Sequence, residues 1–381
     1  MIRRQAIVAV VVVALVALCI YVTMGTVGTR RPNGPNGPNG PNGPNGPIGP
    51  NRPIGPGHGH RRLFPITFSI PRVKLVKHKT RKTKVTSSLI PGDMSTYVYD
   101  TEAAYYDEYR SSLFAITTKK GGWDCMRHYE ILACGCVPYF PNLEACPANT
   151  MALLPKRHML AANALYARLR SKEISELSDR EIAAYDALRA SLLAYTSRFL
   201  TTERVAAYML RAANHGNGRE GREGREGREG REGREGREAR EPRSVLFLSG
   251  CGYPDYLRCL TLHGLKVLMG SRCHDFPKVA HMYDVGADNR GLYGKGFSYS
   301  GLLDPATHDD ALDVAIEDRI RARHFDVVVY GSYHRGMPHY DLVREAYAPH
   351  EVILLCGEDT HKCDYERHLA AGHYVFVREL D

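Results

Sequence analysis

Apolar and polar positions along this 381-residue chain fall into stretches of sharply different character. Residues 6–27 (AIVAVVVVALVALCIYVTMGTV) are 22 positions without a charge, enough for a helix to span a bilayer. Residues 32–60 lose all periodicity, as five Pro-Asn-Gly copies degrade into PIGPNRPIGPGHGH. Patterning returns beyond residue 61. LFPITFSI and VKLVKH read as short strands, TYVYDTEAAYYDEYR as a helix carrying Tyr105, Tyr106 and Tyr109, and LFAIT (113–117) as a strand. Residues 123–134 then place Trp123, Met126, Ile131 and Leu132 at helical spacing. Gly135, just past the last turn, stops that helix, and residues 136–140 form a short apolar strand.

Residues 157–213 are Ala-, Leu-, Arg- and Glu-rich with helical periodicity and carry no catalytic signal. Seven Gly-Arg-Glu copies (218–238) follow, which have no side chains to build a core. From residue 244 the pattern alternates. SVLFLSG reads as a buried strand, DYLRCLTLHG as a helix, KVLMG as a second strand and ALDVAIEDRIRARH as a helix. FDVVVYGS, EVILLCGED and HYVFVREL read as further strands, with YDLVREAYA as a helix between the first two. Strands alternating with helices imply a parallel, doubly wound sheet whose ligands sit beyond the carboxyl ends of strands.

The expected organisation is therefore a signal anchor over residues 1–30, a collagen-like linker over 31–60 and an α/β half over 61–214. A repeat linker (215–243) and a second Rossmann-like half (244–381) complete it. Arg3 and Arg4 precede the apolar span, and no small-x-small cleavage site is evident, so an uncleaved anchor is favoured over a secretory peptide. A type II orientation follows, with the bulk lumenal or on a membrane or virion surface; Arg30, Arg31 and Arg52, beyond the span, argue the other way. Glycine at every third position of the linker is the collagen period, but so few triplets read more simply as a spacer.

The formal charge of +9 is concentrated between Arg61 and Lys84, a stretch without an acidic residue. No nucleic-acid motif accompanies it, so phosphate or an anionic glycan is the expected partner and nucleic acid is not. Ten cysteines include the close pairs Cys134/Cys136 and Cys356/Cys363, which form no two-by-two zinc pattern, and no metal ligand set is read. His58 and His60 could at most pick up a metal adventitiously.

The candidate chemistry centres on residues 119–156. Lys119, Lys120, Gly121 and Gly122 make a basic glycine loop, and Arg127 and Glu130 lie three apart on one helix face. Cations there suit a diphosphate, backbone N–H groups could approach it, and the carboxylate could accept from ribose hydroxyls. A plain Arg–Glu helix pair beside a solvated lysine loop fits the spacing equally well. Beyond the strands of the second half lie Ser249 and Gly250, then His334 and Arg335 for sugar or phosphate, then Glu358, Asp359 and His361 as candidate general bases. Loop capping is the plainer role for each. GLYGKGFS (291–298) lacks the phosphate-loop spacing and reads as a flexible cover for the cleft.

Arg127-His-Tyr-Glu130-Ile-Leu-Ala-Cys-Gly135-Cys-Val-Pro138 resembles the R-x-x-E-A-L-x-x-G-x-[IV]-P signature of the exostosin-like glycosyltransferases. The likeness covers roughly 40 of 381 residues, and Ile131 stands where family members usually carry Ala. It implies the GT-B fold, with the signature in the nucleotide-sugar half, so that Lys119, Lys120, Gly122, Arg127, Glu130 and Gly135 would hold the donor. The nucleotide-sugar is then a substrate and no further cofactor is expected. The acceptor would be a glycan or a protein.

The absence of any D-x-D triplet fits a metal-independent GT-B enzyme. Such enzymes place the acceptor half first, whereas here it follows. The fold class expected is thus α/β with two Rossmann-like, GT-B-like halves, circularly permuted, behind a transmembrane helix. On that view Leu380 and Arg61 lie close in space. The alternative is a catalytically inactive glycan- or nucleotide-binding surface protein on a stalk. A dehydrogenase is disfavoured, because no G-x-G-x-x-G follows a strand.

Overall fold

The computed structural model describes residues 62–213, 242–250, 252–359 and 363–381. The apolar span 6–27, both repeat tracts, Arg61 and His361 lie outside the described residues. Among the described residues no helix is long and apolar enough to cross a membrane.

In chain order the elements begin β1 (Leu63–Pro65), β2 (Lys84–Thr86), α1 (Glu102–Arg110), β3 (Ser112–Ile116), α2 (Met126–Ala133) and β4 (Val137–Tyr139). The helices α3 (Lys156–Leu169), α4 (Asp179–Tyr195) and α5 (Thr202–Ala212) follow. Next come β5 (Val245–Leu248), α6 (Tyr256–Met269), β6 (Cys273–Phe276), α7 (Asp310–Val314), α8 (Ile316–Arg321) and β7 (Val327–Tyr330). The last are α9 (Tyr340–Ala346), β8 (Val352–Cys356), α10 (Glu366–Ala370) and β9 (Tyr374–Val377). The fold is mixed α/β with two parallel sheets, one ordered β2-β3-β4 and the other β1-β9-β8-β7-β5-β6.

The interior strands β5, β7 and β8 of the larger sheet are buried on both faces, which is why they read as unbroken apolar runs rather than alternations. Alternation survives in what each side chain touches. Leu246, Leu248, Val328 and Leu354 pack in one apolar cluster, while Val245, Phe247, Val329 and Ile353 belong to another. The second cluster continues through Phe114, Tyr129 and Leu192 of the N-terminal half, so the two halves share one core.

Each half also lends an element to the other. β1 pairs in parallel with β9, Leu63 opposite Val375 and Pro65 opposite Val377. After β1 the chain crosses to the smaller sheet. It does so beside the return crossing, where Ile70 N–H donates to Leu200 O at 3.0 Å and Thr202 N–H to Ile70 O at 3.1 Å. α5 then packs on α6 against the larger sheet.

The run KVLM, read above as a strand, is instead the last turn of α6, and the second strand of this half is Cys273–Phe276. Gly264 misled that reading: it looked like a helix stop, yet it lies inside the helix because α5 passes over it. A Cβ at Gly264 would collide with the Thr202 carbonyl and crowd Ala206. Gly264→Ala should therefore lower stability by about 1–3 kcal/mol despite its better helix propensity, as measured by denaturant unfolding. A stabilised variant would show that the two helices are not in close contact. VKLVKH is likewise not a strand; Arg72–Lys74 form a single 3₁₀ turn.

The expected nearness of Leu380 to the start of the N-terminal half takes a different form. Arg62 donates to the Gly372 carbonyl ahead of β9, whereas Leu380 lies past the end of that strand, its carbonyl held by Thr150 Oγ1 at 2.7 Å. Parallel pairing puts the two residues at opposite ends of one strand pair, so a direct join would need a crossover connection.

Candidate functional site

A cavity of about 370 Å³ opens between the halves, lined from one side by α2 and the segments before it, and from the other by residues 256, 293–295, 297 and 359. α2 begins after Cys125 and ends where Gly135 takes φ 59°, so its first turn faces the cavity. Arg127, 7% exposed, donates through Nε to Tyr97 Oη at 3.1 Å. Its Nη1 is buried with no partner. Glu130 is held at both oxygens, by Tyr105 Oη at 2.7 Å and by Ser298 Oγ at 2.6 Å. Burial pushes its carboxyl above the usual range, although these two donors pull the other way.

Aromatic rings make up much of the remaining wall, with Phe68, Tyr97, Tyr105, Tyr256 and Phe297 all contributing. The loop 291–298, expected to cover the cleft, closes onto the N-terminal half. Lys295 Nζ donates to the Tyr99 carbonyl at 2.6 Å and pairs with Asp100 at 3.0 Å. Ser298 N–H donates to Glu102 at 2.7 Å.

Of the six residues expected to hold a donor, Lys120, Gly122, Arg127 and Glu130 line the cavity. Lys119 stands over the Trp123 ring, 5.1 Å from its centroid, and Gly135 serves as the helix stop. The backbone N–H groups at the end of the glycine loop are already occupied. Trp123 and Asp124 donate theirs to the Glu379 carboxylate at 2.9 and 3.0 Å. Gly121 and Gly122 let the loop pass close against the side chains of Asp359 and Glu379, which a Cβ there would displace.

Behind Glu379 sits Arg378, fully buried, with its guanidinium 4.5 Å from the Phe68 ring centroid. It donates to Glu379 at 2.7 Å, to the Gly357 carbonyl at 3.1 Å, and to the Asp124 carbonyl and the Asp359 carboxylate. Asp124 accepts from Phe68 N–H and Tyr129 Oη, both at 2.8 Å. Burial pushes its carboxyl up to about 6 even though Arg378 is close. None of Asp124, Arg378 and Glu379 was picked out in the sequence. The available signal was a charged pair directly after an apolar strand, at its carboxyl end.

The second-half candidates gather at the carboxyl ends of β5, β7 and β8, where the sheet order reverses. His334 Nε2 meets Glu358 at 2.7 Å, and Arg335 bridges Glu358 at 3.3 Å and Asp255 at 3.5 Å. Burial holds His334 below the usual imidazole range against the pull of Glu358. Gly250 allows the backbone of Gly336 to pass against it, and Ser249 Oγ is buried without a partner. These residues do not line the cavity; of the two described candidate bases, Asp359 lines it and Glu358 does not. A disulfide between Cys356 and Cys363 closes the loop that carries Glu358 and Asp359.

The tyrosine wall is braced from behind by Glu108, which accepts from Ser87 Oγ, Ser88 N–H and Tyr99 Oη and pairs with Lys84 at 2.7 Å. Burial opposes its charge, but the donors win and draw the carboxyl down from 4.5 to about 2. A depressed folded value means that the contribution to stability is present above about 4.5 and is lost as pH falls toward about 2. With Lys84 partly in solvent, that contribution is about 2 kcal/mol. Glu108→Gln should accordingly flatten the loss of melting temperature over that acid window; a slope equal to the parent's would refute the assignment.

The chain matches no family model, no curated protein and no solved structure.

Proposed function

We propose that this chain is a membrane-anchored glycosyltransferase of exostosin-like, GT-B type, with its halves in permuted order. It would take a nucleotide-sugar donor in the cavity between them. The observation that carries this reading is Arg127: a guanidinium more than nine-tenths buried, facing a cavity, with Nη1 unpaired. Leaving a buried charged donor unsatisfied is costly, and an anionic ligand removes that cost. Lys120 adds a second cation, and the aromatic walls suit the faces of a base or a sugar.

In this reading Arg127 and Lys120 stabilise the charge that develops on the departing diphosphate. Glu130 keeps lone pairs for ribose hydroxyls beyond the two that Ser298 and Tyr105 occupy. The acceptor, a glycan or a protein, would approach past the carboxyl ends of β5, β7 and β8. Asp359 is, among the described base candidates, the one that reaches the cavity. Permutation is supported by α5, which ends its half packed on α6 against the larger sheet, so the Gly-Arg-Glu tract leads from it into β5 of that sheet; the placing of Arg62 and Leu380 at opposite ends of the β1–β9 pair counts against a simple permutation. The lumenal, type II placement rests on the apolar span of residues 6–27.

A specific observation favours the non-catalytic alternative. Arg378 already engages Asp359, so that carboxylate is held by the fold rather than left open to an acceptor hydroxyl. Thermal unfolding of the full chain in detergent against UDP-, GDP- and CMP-sugars, paired with a donor-turnover assay, separates the readings. One nucleotide class should raise the melting temperature and be consumed. A shift without turnover would leave a binding protein, and no shift with any class would overturn both.

A further inference from the structure

The edge of the larger sheet remote from β1 carries a cluster that the proposed transfer reaction does not use. His274 on β6, His308 in the connection that follows it, and Asp313 on α7 bring their ligand atoms within 4.8 Å of one another. His274 Nε2 lies 2.8 Å from Asp313 Oδ1, and His308 Nε2 lies 3.1 Å from Asp313 Oδ2. The imidazoles stack with centroids 4.8 Å apart, so both Nε2 atoms address one carboxylate. Asp310 Oδ1, on the solvent side, is 3.5 Å from His308 Nε2.

We propose that His274, His308, Asp313 and Asp310 form a site for one divalent transition-metal ion of the zinc class, stapling α7 to the sheet edge. Three observations carry it. First, the spacing is close to what a tetrahedral ion requires. Metal–ligand bonds of about 2.0–2.1 Å set neighbouring ligand atoms roughly 3.3–3.4 Å apart; the His–Asp distances present, 2.8 and 3.1 Å to the two oxygens of Asp313, and the 4.8 Å spread of the set bracket that spacing, so an ion would enter with small side-chain shifts.

Second, the outer shell is built. His308 Nδ1 faces Asp275 Oδ1 at 3.2 Å. Asp275 is itself fixed by Val279 N–H at 2.9 Å, by Tyr283 Oη and by Lys266 at 3.1 Å. A carboxylate on Nδ1 is the usual device for aiming the other imidazole nitrogen at a metal. With its Nδ1–H on Asp275, a neutral His308 would turn the Nε2 lone pair toward Asp313, and a bound cation would take the place of the second proton that an imidazolium carries there.

Third, the donor set selects its ion. Two imidazoles with carboxylates suit zinc, cobalt, nickel or iron(II), and not the oxygen-only shells of calcium or magnesium. The imidazoles are buried and Asp310 is exposed, so entry is from solvent and Asp310 closes the fourth position. On the rim Lys278 lies 3.4 Å from Asp310, a weak pair that an ion would displace. The sequence hid this set because its members spread over some 40 positions, His274 to Asp313, with no ligand spacing that repeats a known motif.

The test is a titration of the full chain in detergent, stripped with chelator, with Co²⁺ followed by Zn²⁺. One equivalent of Co²⁺ should develop the visible d–d absorption of a tetrahedral nitrogen–oxygen site, and Zn²⁺ should abolish it. Asp313→Asn and His274→Gln should each weaken binding at least ~100-fold, beyond what loss of an outer-shell partner costs. Asp310→Asn, at an exposed position that leaves the fold intact, should weaken it by a smaller factor. A His58→Gln/His60→Gln double variant should bind as the parent does. No absorption band, or a band that survives Asp313→Asn and disappears with the linker variant, would overturn the proposal.

Discussion

Arg127→Ala should abolish nucleotide-sugar binding while leaving the free protein almost as stable as before. The ligand loses a charge-assisted, two-pronged contact worth about 1.5–3 kcal/mol or more, so affinity should fall roughly 10- to 100-fold or beyond measurement. Stability should change by less than about 1 kcal/mol, because the deleted guanidinium makes one side-chain bond, to Tyr97, and leaves Nη1 unpaired. Arg127→Lys should recover little, since an ammonium is a point charge and cannot copy the fork. Ligand titration and denaturant unfolding of the same samples check both halves of the statement. A variant that unfolds easily and still binds would make Arg127 a structural residue and remove the main support for the transferase reading.

Arg378→Met should have the largest effect on folding. The side chain is fully buried and serves four groups at once: Glu379, Asp359, and the carbonyls of Asp124 and Gly357. Removing one partner of a buried pair strands the other, a loss of about 3–5 kcal/mol. Glu379 would keep only the N–H groups of Trp123 and Asp124 against its charge. Glu379→Gln in the same background should restore part of the loss, because it discharges the stranded carboxylate. Equilibrium unfolding in urea measures both; a loss under about 1 kcal/mol for Arg378→Met would show that water satisfies the site.

Much of the architecture was legible because strands buried on both faces are plain apolar runs, as at 245–248, 327–330 and 352–356. The helix at 126–133 was equally readable from its spacing and its glycine stop. The failures share a cause: they depend on what a distant segment does. Gly264 reads as a stop until α5 lies across it. The glycine loop and the turn after it read as a phosphate cradle until Glu379, 255 positions from Asp124, takes the N–H groups of Trp123 and Asp124. Glu130 reads as a free carboxylate until Ser298 closes on it. Local pattern names the residues at the cavity, and only tertiary contact decides which of them remain available.

The pairing of β1 with β9 has a consequence for how the molecule is made. Arg62 meets Gly372 across 310 positions, so β1 leaves the ribosome long before its partner β9 and waits for it. Until β9 is synthesised the larger sheet ends at β8, with one row of backbone donors and acceptors uncovered. The shared core stays open for the same interval, since α5 packs on a helix encoded after the Gly-Arg-Glu tract. Contacts this remote in sequence fold slowly and late. The nascent chain is therefore most exposed to mispairing in the interval before β9 emerges, and a chaperone that shields strand edges would act on it at that stage.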